Sequence, residues 1–357
     1  MTRIRPPLIL FLIAVTLRSA SLLFSAYWLK LNPARIASFQ DGPSYIYLAT
    51  HWPLYPEPQS VIHFPLYPLV IRFFSLFTPS VEVAALVVSL LAGAMAVTIY
   101  GQILTRYSEQ WFEIALVFSV FPFRWFNISQ LVMSESLFLL LALFSLLLIE
   151  KGGTLSSGFV LGLACLTRLF GILLFPAFLF KVLRSRDHSF KKLVALLVPC
   201  ALLAGLGVYF TARFGSPLVY FREHNRLWGG SYFSIPFSAY VEGFFDPTIS
   251  WYRKPYVAFV LLFYFGGLLI GLIRWRRGRA QWAVWILWAL PFLLLQTLLH
   301  GQGINWGFIS SPRLMMPAAP AILLFWLDGC SRKRLYLFFA LLIPLAFIYN
   351  VAEFRAQ

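Results

Sequence analysis

The sequence predicts an all-α polytopic membrane protein: a single integral membrane domain over 1–357, with about eleven transmembrane helices, several of them short, around a cavity at one face. Three observations predict it. Of the 357 residues 60% are hydrophobic and only 12% are charged, about half the ~25% charge of a soluble domain. Apolar runs of membrane-crossing length recur along the chain. The formal charge of +16 sits mainly on basic residues between those runs, as cytoplasmic loops require, so the expected partner is a lipid bilayer and not nucleic acid. The composition excludes disordered, collagen-like and soluble chains. Cys165, Cys200 and Cys330 are too widely spaced for a disulfide framework or a metal motif.

The first run, 7–29, follows Arg3 and Arg5 and is interrupted by Arg18. It is longer than a signal-peptide core and reads as an uncleaved helix. Further spans are expected at 81–105, 112–126, 134–150, 155–167, 169–184, 193–212, 256–273, 281–299, 314–328 and 335–350. Charge decides the split at Thr167-Arg168. One tilted helix over 155–183 would carry Lys181, Arg184, Arg186, Lys191 and Lys192 to the outside, against the positive-inside rule. Two short helices return that cluster to the side of Arg106, Lys151, Arg274, Arg276, Arg277, Arg279, Arg332, Lys333 and Arg334. Such helices cannot reach the far leaflet, so protein or a water-filled cavity must meet their ends. The expected topology has the amino terminus inside and the carboxyl terminus outside. The outer loops 30–80, 213–255 and 300–313, rich in Trp, Tyr and Pro, then form the active-site face. No repeat of half length is visible, which speaks against an inverted-repeat transporter.

The polar residues of those loops carry the candidate chemistry. Asp41 precedes Gly42-Pro43, a turn pair. A carboxylate held at the mouth of an apolar cavity suits a general base, with its pKa raised by desolvation; capping the following short helix is the competing reading. His63 to Leu69 is amphipathic and broken by proline, suited to the interface or to plugging the bundle. Glu135 opens an apolar helix beside Ser134, where it can meet the helix dipole or face a cavity. Arg168 and Arg313 stand at outer turns, and Arg222 and Arg226 lie near His224 and Trp228. An arginine there can grip a lipid phosphate with two donors or snorkel to headgroups. His51, His63, His224 and His300 match no metal spacing, and no metal site is expected.

At these residues the chain resembles a family. Asp41-Gly-x-x-Tyr45…Ala49, Phe64-Pro-Leu-Tyr-Pro-Leu69, Ser134-Glu-Ser-Leu-Phe138 and Leu166-Thr-Arg168-x-x-Gly171 occur in that order. With Phe214-Gly-Ser-Pro-Leu218…Trp228-Gly-Gly230 and Ser311-Pro-Arg313…Pro317, they look like the PIG-V type of mannosyltransferase, membrane enzymes of the GT-C superfamily. The resemblance runs along most of the chain. It implies a GT-C-like helical bundle with an outer-face site, a polyprenyl-phosphate sugar donor (mannose), an acceptor hydroxyl that the sequence does not name, and inversion at the anomeric carbon. It implies Asp41 as the base, Glu135 as the group orienting sugar or acceptor, and Arg168 and Arg313 as phosphate ligands. Tyr45, His63, Tyr67, Arg222 and Trp228 join them as substrate-binding candidates. No cofactor is implied, since arginine can bind a lipid monophosphate and no Asp-x-Asp pair is present. Gln40 and Met133 depart from the pattern, where the family more often has an aromatic before the Asp and a Tyr before the Ser-Glu-Ser; these positions bear on acceptor and sugar. Short inner loops point to a bacterial plasma membrane rather than the endoplasmic reticulum.

Two other classes stand beside this reading. A transporter or flippase for a lipid-linked sugar would place ionisable groups along a path through the bilayer, whereas the inner half of the spans is nearly free of charge, Arg18 excepted. An idle scaffold would leave Asp41 and Glu135 without a task.

Overall fold

Helices account for nearly all the regular structure. The computed structural model describes residues 6–51, 55–228, 231–301, 308 and 310–355, with only the backbone described at 228, 231, 232, 300 and 301. α1 (Pro6–Leu29) runs unbroken through Arg18. That guanidinium is fully buried: Nε donates to Ser129 Oγ at 2.8 Å and Nη1 to the Ala14 carbonyl at 3.2 Å. Its partner is therefore a serine and a carbonyl, with the Trp125 and Phe126 rings packed over it, not an acid. α2 (Pro33–Ala37), capped by Asn32, and α3 (Gly42–Thr50) follow as short helices. A 3₁₀ turn (Pro58–Ile62) and the amphipathic α4 (Leu66–Ser75) complete the segment between α1 and the next long helix.

α5 (Val81–Leu104) is the central pillar, packed against α1, α4, α6 (Trp111–Val120) and α8 (Glu135–Glu150). Small residues make that possible. A Cβ on Gly93 would sit 2.8 Å from Ser129 Cβ, and one on Gly101 2.7 Å from Leu10 Cδ1. Where lipid removes the hydrophobic incentive for helices to associate, such close approach supplies the packing. The expected span at 112–126 is broken: α6 stops at Val120, and α7 (Phe123–Ile128) starts beyond Pro122, whose missing N–H cannot continue the helix. α9 (Thr154–Thr167) returns alongside α8. The chain then turns through extended Arg168 and a 3₁₀ segment (Leu169–Leu174) into α10 (Phe175–Arg184).

α11 (Ser189–Phe214) packs on α9, and α12 (Val219–Trp228) lies on the Pro58–Ile62 turn. Strands β1 (Ser231–Phe233) and β2 (Leu299–Gly301) pair antiparallel, Tyr232 opposite His300. Between them run α13 (Ser238–Phe245), α14 (Arg253–Arg276) and, after a 3₁₀ turn, α15 (Ala283–Leu298). α16 (Ser311–Leu314), α17 (Ala319–Leu327) and α18 (Arg332–Arg355) end the described chain.

Helices thus form at all eleven expected positions. Six, over Pro6–Leu29, Val81–Leu104, Ser189–Phe214, Arg253–Arg276, Ala280–Leu298 and Arg332–Arg355, are long and apolar enough to cross a membrane. They make this an integral, multi-pass chain. The others are shorter: α8, with 16 residues, is about 24 Å long against the ~30 Å of a hydrocarbon core. Large apolar side chains stand exposed along α1, α11, α14 and α18, among them Leu23, Leu197, Leu262 and Leu341, as a lipid-facing surface requires.

The charged residues divide between two ends. At one, Glu150 pairs with Arg106 and Lys181 and accepts from the Tyr107 hydroxyl, while Asp328 pairs with Arg274 and Arg279. Glu135 lies at the opposite end of α8, about 22 Å away. α9 and α11 touch so closely that a Cβ on Gly158 would fall 2.3 Å from the Ala195 carbonyl oxygen. Gly158→Val should therefore destabilise the bundle by about 1–3 kcal/mol, seen as a lower thermal unfolding midpoint in detergent. An unchanged midpoint would show that this contact does not hold α11 in place.

Candidate functional site

Asp41 is placed by three local constraints. The cap at Asn32 fixes α2; Gln40 takes a left-handed backbone (φ 52°); and Gly42 passes so near α2 that a Cβ there would lie 2.0 Å from the Ala37 carbonyl oxygen. Only glycine fits. The Gln40 side chain turns away to accept from Arg124, which also pairs with Glu353 at 2.7 Å. Asp41 stands at the N-cap position of α3 without a side-chain capping bond, which removes the capping reading. Its Oδ2 instead accepts from Arg313 Nη2 at 2.5 Å.

Arg313 bridges two acids. Its Nε donates to Glu135 Oε1, also at 2.5 Å. That oxygen lies 2.9 Å from Arg168 Nη1, which donates to Ser134 Oγ at 3.1 Å. The sequence of charges is Asp41, Arg313, Glu135, Arg168, alternating in sign. Glu135 is only 2% exposed, the other three near 20%, so the ion pairs run from the protein interior to the cavity wall. Glu135 Oε2 has no hydrogen-bond partner among the described residues. Buried carboxylates are tolerated when paired in this way and are very costly when not.

Behind the acids a tyrosine stack sets the register. Tyr45 donates to Ser134 Oγ at 2.8 Å and meets the Tyr67 ring edge-on at 4.8 Å; Tyr67 shares a 2.5 Å hydrogen bond with Ser89 on α5. The His63 ring also packs edge-on against Tyr45, at 4.7 Å. Arg168 owes its position to Gly171, where a Cβ would collide with Cys165 at 2.7–2.8 Å, so the 3₁₀ turn folds tightly back on α9.

Some of these groups line a cavity of about 320 Å³, at the small end of ligand sites, while Glu135 stays buried behind its wall. Asp41, Tyr45, His63, Arg168 and Arg313 line it, with Phe64, Thr167, Phe170, Tyr220, His224 and Ser310 among the rest of the wall. Of the residues expected at the site, Tyr67 is fully buried beneath Tyr45 and forms no part of the wall. Arg222 is displaced: its side chain is 58% exposed, pairs with Glu223 and does not reach the cavity. The reason is helical phase, because α12 presents Tyr220 and His224, four residues apart, to the cavity and turns Arg222 outward. The Trp228 side chain and most of 300–313 lie outside the described residues. Tyr220, His224, Phe170 and Ser310 were not anticipated; the i, i+4 pair of ring residues on an amphipathic helix was the readable signal. Among the described residues no cluster of three or more His, Cys, Asp or Glu side chains is arranged to hold a metal.

The electrostatics correct one expectation. Burial alone pushes the Asp41 carboxyl up, but Arg313, helped by His63 and by Arg168 beyond it, outweighs burial and holds the pKa at about 2. At rest Asp41 is an ionised, tied carboxylate and not a raised one. Because the folded value lies below the unfolded ~3.9, the pair's contribution to stability is present above that value and lost as pH falls through about 2. In Arg313→Gln the Asp41 carboxyl should titrate upward, because burial is then opposed only by the weaker pull of His63 and Arg168; difference infrared spectroscopy of the carboxyl stretch reads this, and an unmoved band would remove Arg313 as the cause. Compared with known proteins, the chain matches no family model and no curated sequence.

Proposed function

We propose that the chain is a membrane glycosyltransferase of the GT-C kind, resembling the PIG-V mannosyltransferases, which moves mannose from a polyprenyl-phosphate donor to an acceptor hydroxyl with inversion. The observation that carries this reading is the meeting of one cavity-facing carboxylate, Asp41, with two arginines and a buried glutamate, from four separate stretches of chain.

Each step needs a group that the cavity contains. Arg168 and Arg313 offer guanidinium donors to the donor phosphate, a geometry that suits a phosphodiester oxygen pair. As the phosphate engages Arg313, it competes with Asp41 for the same donors. The released carboxylate regains basicity and accepts the proton of the acceptor hydroxyl. The acceptor oxygen bonds to the anomeric carbon on the face opposite the phosphate, and the bond from that carbon to the phosphate oxygen breaks. The polyprenyl phosphate leaves with the electron pair, and the arginines stabilise its growing charge. Glu135, fixed by both arginines, keeps them aimed into the cavity.

The topology in this reading is eleven crossings, with the Arg106, Lys181, Arg274 and Arg279 end in the cytoplasm by the positive-inside rule and the cavity facing the periplasm or exterior of a bacterial plasma membrane. The distribution of charge supports transfer over translocation: the cavity quartet and the basic cluster lie at opposite ends of α8, and the helix between Glu135 and Glu150 carries no charge.

Asp41→Asn should lower kcat by about 10²–10⁴-fold with polyprenyl-phosphate mannose while the protein stays folded in membranes; unchanged turnover removes Asp41 as the base. Arg168→Ala should act mostly through KM for the donor, and a loss confined to kcat would assign it another role. A carboxyl-terminal reporter should lie outside the cytoplasm, and a cytoplasmic signal would overturn the odd number of crossings.

A further inference from the structure

The cavity has no spare charge to meet an anion. Asp41 and Glu135 cancel Arg168 and Arg313, and each arginine already donates to a carboxylate. A phosphodiester entering this space adds one negative charge beside Glu135, which is buried, and an uncompensated charge in such surroundings is unfavourable. Two lining side chains can gain positive charge in the ordinary pH range, His63 and His224. Their positions differ. His63 lies within the field of all four members of the quartet, its ring against Tyr45, whereas His224 packs beside Tyr220 on α12.

The groups around His63 come from every neighbouring element. Asp41 and Tyr45 face it from the start of α3, Glu135 from α8, Arg168 from the end of α9 and Arg313 from α16. α4 contributes Tyr67 behind Tyr45, and Arg72, which donates to the His51 carbonyl. α12 contributes Tyr220 and His224 inward, with Glu223 paired to Arg222 and Arg226 on its other side. Within its own segment the Tyr55 hydroxyl donates to the His63 carbonyl, and Glu57 precedes the 3₁₀ turn.

We infer that an anion entering the cavity brings a proton onto His63, so that the site binds its phosphate together with one proton and His63 becomes a third cationic ligand. This rests on the anion-binding half of the proposed function and goes beyond it by assigning where the balancing charge arises. At rest, burial pushes His63 down to about 4, Asp41 opposing and the two arginines reinforcing the effect. A phosphate between the arginines cancels their repulsion and adds attraction, and both raise the proton affinity of the ring. The sign of the linkage follows. Between about 4 and the higher value of the loaded site, anion affinity strengthens as pH falls, by at most about tenfold per pH unit for one proton. Below about 4 His63 is already charged, and the dependence levels off.

The test is titration calorimetry of the full chain in detergent with farnesyl methyl phosphate, a phosphodiester whose single charge does not titrate in this range. It is run between pH 5 and 6 in buffers of differing ionisation heat, so that the slope counts protons taken up. The wild-type protein should take up close to one proton per anion, His63→Gln none, and His224→Gln as much as the wild type. Histidine ¹⁵N shifts of the wild-type protein, recorded with and without the anion, give the same answer without a variant: one ring should become doubly protonated on binding. Binding without uptake, or uptake retained in His63→Gln or lost in His224→Gln, overturns the assignment of His63 and leaves the transferase reading standing. No anion binding at all overturns both.

Discussion

Arg313 is the side chain on which the candidate site depends. It joins Asp41, 272 residues earlier, to Glu135, 178 residues earlier, through different nitrogens of one guanidinium. A lysine would not reproduce this, because its three donors share one rotatable nitrogen, whereas Arg313 reaches the two carboxylates from two nitrogens held apart in a rigid plane. Without Arg313, Glu135 keeps only Arg168, and Asp41 loses its cation in a partly desolvated wall. Breaking a buried pair of this sort costs about 3–5 kcal/mol. That cost, chiefly of the charge left unpaired, ties the starts of α3, α8 and α16 to one geometry.

The short helices make room for this arrangement. A bundle of full-length apolar helices would close over itself and leave no polar interior. Here α8 begins at Glu135, α9 ends before Arg168 and α16 begins at Ser311, so helix ends converge on one point at the cavity. Backbone and side-chain polar groups at such ends need partners. Ser134, Tyr45 and the ion pairs supply them, and the cavity occupies the remaining space. The stack Tyr45, Tyr67 and Ser89 ties that point to α5, which packs against α1, α4, α6 and α8 and gives the carboxylates a rigid backing.

Much of this was legible in the sequence for identifiable reasons. Apolar runs located the helices, and the placement of Lys181, Arg184 and Arg186 required the turn at Arg168 that the backbone makes. Asp41, Glu135, Arg168 and Arg313 could be singled out as charged residues at the outer ends of apolar segments. What sequence could not supply was who pairs with whom. Desolvation, a local property, argued for a raised Asp41 pKa; the opposite holds because a cation arrives from the far end of the chain. Arg222 drew attention as a charge, yet helical phase turns it outward and brings His224 to the wall. The break at Pro122 was readable from proline chemistry but was hidden inside a continuous apolar run. The pairing of β1 with β2 across 65 intervening residues left no periodic trace, since each strand has only three residues.

At rest Asp41 is tied to Arg313, and in the proposed reaction the phosphate that unties it is part of the substrate. On that proposal Asp41 stays ionised but occupied until a phosphate arrives, and Arg313 serves as both anchor and switch. The most direct test is a structure of the protein with a prenyl phosphodiester bound. The account predicts phosphate oxygens within hydrogen-bond distance, about 3 Å, of both Arg168 and Arg313, with Asp41 released from Arg313 and facing the sugar. A phosphate seated elsewhere, with the Asp41–Arg313 contact intact, would contradict it.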